Sequence, residues 1–194
     1  MSASIFIANR GAWGIEFHSY IIYDPDGDPE TLAGQRILSG HPFNPAFEGE
    51  PGLGGSIVIE VEFDNTNSRD TLDTDYDGIN DATVASRNYT LISASPIYGS
   101  IAATWNAMVG FAESLIGIDN DPATDPDGRL VTDFEYEIFG PNSNSVIASI
   151  LSAVGLDLDL NKPSGLFTAD FVGSDELLSS AENLICTLLY YQGL

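Results

Sequence analysis

Residues 136–155 read YEIFGPNSNSVIASILSAVG, and this stretch decides how the rest of the fold is arranged. Five apolar residues recur in it at helical spacing. They are Val146, Ile147, Ile150, Leu151 and Val154. Gly155 follows them as a left-handed helix stop, and the Asn-Ser-Asn-Ser run before them is typical of a helix start. The pattern predicts a helix whose N-terminus carries two carboxamides and two hydroxyls. Such a turn suits either a plain N-cap or a nucleophile beside an oxyanion.

The chain is strongly acidic. Its 194 residues include 29 acidic and 6 basic side chains, a net charge of −23. The length fits one globular domain over residues 1–194, and a hydrophobic content of 43% excludes a disordered chain. The charge repels nucleic acid and anionic membranes and attracts cations, so metal ions are the first partners to consider. A surface adapted to salt or to the extracellular medium is the alternative explanation.

No apolar run approaches the roughly 20 residues that a membrane-spanning helix needs. The first ten residues also lack the basic start of an ordinary signal peptide. We therefore expect a protein that is extracellular or is secreted by a non-classical route. The sequence leaves open a cytoplasmic location and a mature or excised chain. Cys186 is the only cysteine, which rules out an internal disulfide, and its apolar surroundings predict a buried, inert thiol.

Alternating polar and apolar residues predict a sheet. We expect strands near residues 15, 37, 59, 92 and 168, with a hairpin turn after the first, and a short strand at 4–8. His18 falls within the first of the five, whereas His41 falls in a predicted loop, where we expect it to be solvated. Residues 56–63 alternate cleanly, which predicts a half-buried strand with a polar face.

Apolar residues at helical spacing also predict a helix at 101–116, closed by Gly117, and a last helix that begins near residue 174. Together with the helix after Asn142, these elements indicate an α+β fold. We expect a mostly antiparallel sheet with about three helices packed on it.

An acidic insertion around residues 64–86 carries the strongest short motif of the chain. Its oxygen ligands stand at positions 1, 3, 5, 7 and 9 of an EF-hand-like loop, with Gly78 at the sharp turn. These ligands are the carboxylates of Asp73, Asp75, Asp77 and Asp81 and the carbonyl of Ile79. Val84 replaces the bidentate Glu, so the loop resembles the short calcium loops of dockerin or thrombospondin-type repeats. Calcium is the expected cofactor, and a solvated acidic turn is the alternative. A second acidic turn at 119–128 is a weaker candidate because its prolines fit a rigid surface loop.

Nucleophilic catalysis needs a hydroxyl or thiol and a base that accepts its proton. His18 and His41 are the only side chains suited to be that base near neutral pH, and His18 is the one on a predicted strand. Ser143 or Ser145, at the start of the central helix, is the best placed hydroxyl. Nothing in the spacing shows that such a pair meets.

The order of these parts resembles circularly permuted papain-like domains, which include the NlpC-type and lecithin:retinol acyltransferase-like families. In those families a histidine on an early strand precedes an Asn-Cys-Asn or Asn-Cys-Glu helix start. The stretches that carry the resemblance are HSYIIYDPDG at 18–27 and YEIFGPNSNSV at 136–146. The second is also similar to a segment of poorly characterised bacterial proteins.

The resemblance implies roles for particular residues. Ser143 would be the nucleophile in place of cysteine, His18 the base, and Asn142 and Asn144 the substrate-binding residues. Glu60 is a candidate for orienting His18. Serine is a poorer nucleophile than cysteine without strong activation, so a scaffold that has lost catalysis is equally consistent with the substitution.

Two functions are therefore open. The first is a calcium-stabilised papain-like domain that hydrolyses or transfers an amide or ester acyl group through Ser143 and His18. The second is a non-enzymatic, extracellular, calcium-dependent binding or self-assembling structural protein. A cleft that holds both residues favours the first function, and a Ser143 buried in a helix cap favours the second.

Overall fold

The fold is α+β, as predicted, with a six-stranded antiparallel sheet. The computed structural model describes residues 2–12, 16–28, 34–43, 56–64, 88–116, 130–135, 142–162 and 177–178. Within these ranges the strand order is β5-β1-β2-β3-β4-β6, and every strand pair is antiparallel. The elements are β1 (Ser4–Ala12), β2 (Glu16–Asp24), β3 (Arg36–Phe43), β4 (Ser56–Asp64), β5 (Asn88–Ile92), α1 (Ile101–Ile116), β6 (Leu130–Glu135), α2 (Ser143–Ala153) and α3 (Leu158–Asn161).

The sheet buries side chains on both of its faces. The face that packs against α1 and α2, which we call the helix face, contributes to the larger of two apolar clusters. Its strand residues include Ile5, Ile7, Ile21, Leu38, Ile57, Ile59 and Ile92. The opposite side, which we call the second face, holds the smaller cluster of Phe6, Ala8, Tyr20, Ile22 and Ile37. Because side chains alternate along a strand, each strand position can be assigned to one face.

The central helix begins and ends where the sequence predicts. Asn142 is the N-cap, and its side-chain oxygen accepts a hydrogen bond from the Asn144 N–H at 2.8 Å. Gly155 has a φ of 73°, and the N–H of Leu156 bonds back to the Leu151 carbonyl at 2.9 Å. This is the pattern of a Schellman helix end, in which glycine adopts the left-handed conformation without a Cβ clash.

The helix predicted at 101–116 is confirmed as α1. Its Trp105 ring stacks on Tyr23 of β2 with centroids 5.2 Å apart, and the indole N–H donates to the Glu62 carboxylate at 3.2 Å. Glu62 has a φ of 48° and lies at a register shift, where Ile37 pairs with Phe63 but Leu38 pairs with Val61. The extra residue is a β-bulge. It directs Glu62 to the helix face, away from the side predicted by simple alternation.

The hairpin between β2 and β3 is held by the buried side chain of Asp24. One carboxylate oxygen accepts from the N–H groups of Asp26 and Gly27, at 3.0 and 2.9 Å. The other accepts from the Gln35 side chain at 2.9 Å. A single carboxylate thus closes the turn and ties it to the start of the returning strand, as predicted for a hairpin with a long tip.

Several predictions from the sequence are wrong within the described ranges. β3 continues through His41, which is buried rather than solvated in a loop. Residues Ile57–Glu60 are all buried, so the predicted polar face of β4 is covered at Val58 and Glu60, whereas Glu62 is exposed. β6 and the short α3 were not predicted. The strand near residue 168 lies outside the described residues. Leu177 and Leu178, the described part of the helix predicted from residue 174, are not helical, and the rest of that prediction lies outside the described residues.

No helix among the described residues is long and apolar enough to cross a membrane.

Gly40 on β3 allows α2 to approach the sheet closely. A Cβ on Gly40 would lie 2.8 Å from Val146 Cγ2 and 3.3 Å from Ser143 Cα. We expect Gly40→Ala to lower the free energy of unfolding by about 1–3 kcal/mol, because the packed helix must shift. Urea denaturation measures the change.

Gly110→Ala is the matched control, because a Cβ on Gly110 in α1 would meet nothing within 4 Å. This substitution should raise the stability by about 0.5–1 kcal/mol, since alanine is the better helix former. Equal effects of the two substitutions would contradict the close approach at Gly40.

Candidate functional site

The first turn of α2 is buried against β2 and β3. Asn142, Ser143, Asn144 and Ser145 are all buried, and only 5% of Ser143 is exposed. The capping is reciprocal: the Asn142 side chain accepts from the backbone of the first turn, and the Asn142 N–H donates to Ser145 Oγ at 3.1 Å. Two of the four polar side chains in the turn therefore serve as caps.

Asn144 connects the helix to the sheet. Its carboxamide oxygen accepts a hydrogen bond from the backbone N–H of Ser19 at 3.0 Å. The described pairing of β2 with β3 runs from Tyr23 opposite Arg36 to Ile21 opposite Leu38, and Ser19 lies just beyond its end. A side chain from α2 thus satisfies a buried backbone donor at the point where the ladder stops.

A polar cluster lies on the second face of the sheet. His18 Nε2 is 3.2 Å from Ser39 Oγ, and the His18 ring stacks on His41 with centroids 5.1 Å apart. His41 Nε2 is in turn 3.5 Å from the Glu60 carboxylate. All four residues are buried. We call His18, Ser39, His41 and Glu60 the histidine cluster.

The structure places Ser143 and His18 on opposite faces of the sheet. His18 stacks on Tyr20, whose side chain belongs to the second-face cluster. Ser143 lies on the helix face, where its Cα would contact a Cβ on Gly40. The backbones of β2 and β3 separate the two side chains, so the predicted catalytic residues are not brought together. Glu60, the candidate for orienting His18, contacts His41 instead.

The histidine cluster contains a serine and a histidine at the distance of a nucleophile and its base. The 3.2 Å between Ser39 and His18 falls at the upper limit for such a pair. Ser39, however, is 0% exposed in the middle of a sheet. A substrate carbonyl could not reach its hydroxyl in this arrangement, so the contacts are those of a buried polar network.

Ser39 and His41 were missed as partners of His18. The Gly40 and Pro42 that alternate with them are typical of loops, and they led to the prediction of a loop from residue 39. In a strand over residues 37–41, the alternation of side chains places Ser39 and His41 on the same side as Ile37. This period of two could have identified them.

The predicted calcium ligands Asp73, Asp75, Asp77, Ile79 and Asp81 lie outside the described residues, as does the acidic turn at 119–128. Among the residues that the structure describes, no group of three or more His, Cys, Asp or Glu side chains is arranged to hold a metal ion.

Comparison with protein-family models, with curated proteins and with solved structures finds no match to this chain.

The Asn144 side chain should be important for stability. Asn144→Ala leaves the buried Ser19 N–H without its acceptor, so we expect a loss of about 1–3 kcal/mol in the free energy of unfolding. Urea denaturation followed by tryptophan fluorescence is a suitable measurement.

Asn161→Ala provides the comparison, because the Asn161 side chain donates to the Asp157 carbonyl in an exposed turn. Its loss should cost no more than about 0.5 kcal/mol. If the two variants were equally stable, the Asn144 bond to the sheet would not be a significant constraint.

Proposed function

We propose that the chain is a calcium-stabilised, non-enzymatic domain with a binding or structural role. The observation that carries the proposal is the burial of the Asn-Ser turn. Asn142 and Ser145 cap the helix, Asn144 bonds to β2, and Ser143 lies across the sheet from His18. The N–H groups of Asn144 and Ser145 are bonded to the Asn142 side chain, so these two donors are not offered to an oxyanion.

A permuted papain-like scaffold that has lost catalysis is compatible with this proposal. A strand that carries His18 precedes, by more than a hundred residues, a helix start that carries Ser143, and the helix packs on an antiparallel sheet. Acyl hydrolysis or transfer by Ser143 and His18 is the competing function. It requires the two side chains to meet at one cleft, and their positions on opposite faces weigh against it.

The calcium part of the proposal rests on the chain's own donor chemistry. The loop at 73–81 offers four carboxylates and one carbonyl at alternating positions, which is the oxygen-rich set that Ca²⁺ prefers. Without a cation these carboxylates would repel one another, within a chain that already has a net charge of −23. Calcium would thus stabilise the fold by neutralising charge that the loop concentrates. An extracellular location, where calcium is abundant, fits this role.

Removal of calcium should destabilise the protein. At a calcium concentration a hundred times the Kd, binding to the folded chain contributes about 2.7 kcal/mol. For a domain of this length the corresponding fall in Tm on chelation is about 5–10 °C. Differential scanning calorimetry with and without EGTA makes the measurement.

The calcium test has a matched pair of variants. Asp75→Asn should weaken the response to calcium, whereas Asp159→Asn in the exposed turn of α3 should leave it intact. If EGTA leaves the Tm of the unmodified chain unchanged, the proposed calcium site is refuted.

Substitution of Ser143 separates the two candidate functions. We expect Ser143→Ala to leave any hydrolysis of general acyl esters unchanged, because the proposed domain does not use this hydroxyl as a nucleophile. His18→Gln serves as a second variant for the predicted base. Loss of a measurable wild-type activity in both variants, with the fold retained by circular dichroism, would establish the enzyme and overturn our proposal.

A further inference from the structure

Exposed apolar side chains gather at one edge of the sheet. On β5, 59% of Leu91 and 39% of Tyr89 are exposed. Ile97, in the turn after β5, is 55% exposed and lies beside Gly155, and Leu160 of the adjacent α3 is 84% exposed. Tyr89, Leu91 and Ile97 are three of the five large apolar side chains that are exposed among the described residues, and we call residues 88–97 the β5 edge. Such clustering marks an interaction surface more often than scattered exposure does.

β5 is an edge strand among the strands that the structure describes. Within the described ranges β5 pairs with β1 on one side and with no strand on the other. Natural edge strands are usually protected by charged side chains or proline. β6, the opposite edge, contains Asp133 and Glu135, whereas residues 88–112 contain no Asp, Glu, Lys or Arg. β5 therefore lacks the charged side chains that commonly protect an edge strand.

We infer that a second copy of this chain binds at the β5 edge, by antiparallel pairing of β5 with β5. The inference names the partner of the domain proposed above and rests on that proposal. The strand is self-complementary: with Thr90 at the two-fold axis, Tyr89 lies opposite Leu91 of the second copy. Both side chains are on the second face, because they pair with Ala8 and Phe6 of β1. Aromatic and aliphatic cross-strand pairs of this kind stabilise sheets.

The charge distribution favours a second copy over an unrelated partner. A cationic partner would be drawn to the acidic surfaces, and the β5 edge has no charge with which to attract it. Two chains of −23 repel one another, and the uncharged edge is where they can approach at the least electrostatic cost. A five-residue strand alone is smaller than a stable interface. Ile97, in the turn after β5, adds exposed apolar area on the helix-face side of the same edge.

Sedimentation equilibrium of the calcium-loaded full chain, over protein concentrations up to about 1 mM, tests the inference. We expect a reversible monomer–dimer equilibrium, tightened by NaCl because salt screens the repulsion between the copies. Leu91→Glu should raise the dimer Kd about tenfold or more, since it removes an apolar contact and places a charge at the uncharged edge. Leu91→Ser, which adds no charge, should raise the Kd in the same direction.

Leu177→Glu is the charge-matched control. Leu177 is 39% exposed, like Tyr89, but its neighbour Leu178 is held on α2 by a hydrogen bond to Ser149. This variant should dimerise like the unmodified chain, to within about twofold. A chain that stays monomeric, a dimer that Leu91→Glu leaves intact, or equal weakening by both Glu variants would overturn the inference. If the chain is monomeric but its Tm still depends on calcium, only this inference is refuted. Catalysis by Ser143 would instead refute the proposed function.

Discussion

The hydrogen bond from the Ser19 N–H to the Asn144 carboxamide fixes how the central helix lies on the sheet. A buried backbone donor has to find an acceptor, and at this point the ladder between β2 and β3 no longer supplies one. The helix can supply it only because Gly40 lets its first turn approach the strands without a Cβ between them. The position of α2, and with it the apolar layer that α2 forms with α1, depends on these two adjacent features.

The same contact determines what the polar residues can do. Once the first turn of α2 lies on the helix face, its capping side chains are removed from solvent and committed to backbone partners. His18, which precedes Ser19 in β2, necessarily points to the other face, where Ser39, His41 and Glu60 provide its surroundings. The sheet separates His18 from Ser143, the two residues that the sequence resemblance would place in one site. Each group belongs to its own buried polar network, with the caps of α2 on one face and the histidine cluster on the other.

Charged residues are also distributed unevenly along the chain. Acidic residues recur through most of the sequence, whereas residues 88–112, which form β5 and most of α1, contain none. A strongly negative surface discourages nonspecific association, and the uncharged stretch does not contribute to that repulsion. A binding or structural role is consistent with both properties.

The sequence by itself determined the elements whose signals are local. Asn142 and Gly155 delimit α2 because a cap and a left-handed stop act within a few residues, and the apolar stripe of α1 is similarly short in range. The period of two located β2 and most of β4 for the same reason. β6 was missed because Asp133 and Glu135 are uncommon residues in strands, and α3 because a single helical turn is too short for a distinct periodic signal.

Only the tertiary structure decided which faces these elements share. The bulge at Glu62 reverses the alternation of β4, and it arises from the pairing of β3 with β4. His41 is buried in β3, although the glycine and proline beside it resemble a loop. The separation of His18 from Ser143 likewise follows from residues more than a hundred positions apart. Such relations depend on register and long-range packing, and a one-residue shift in register moves a side chain to the opposite face of the sheet.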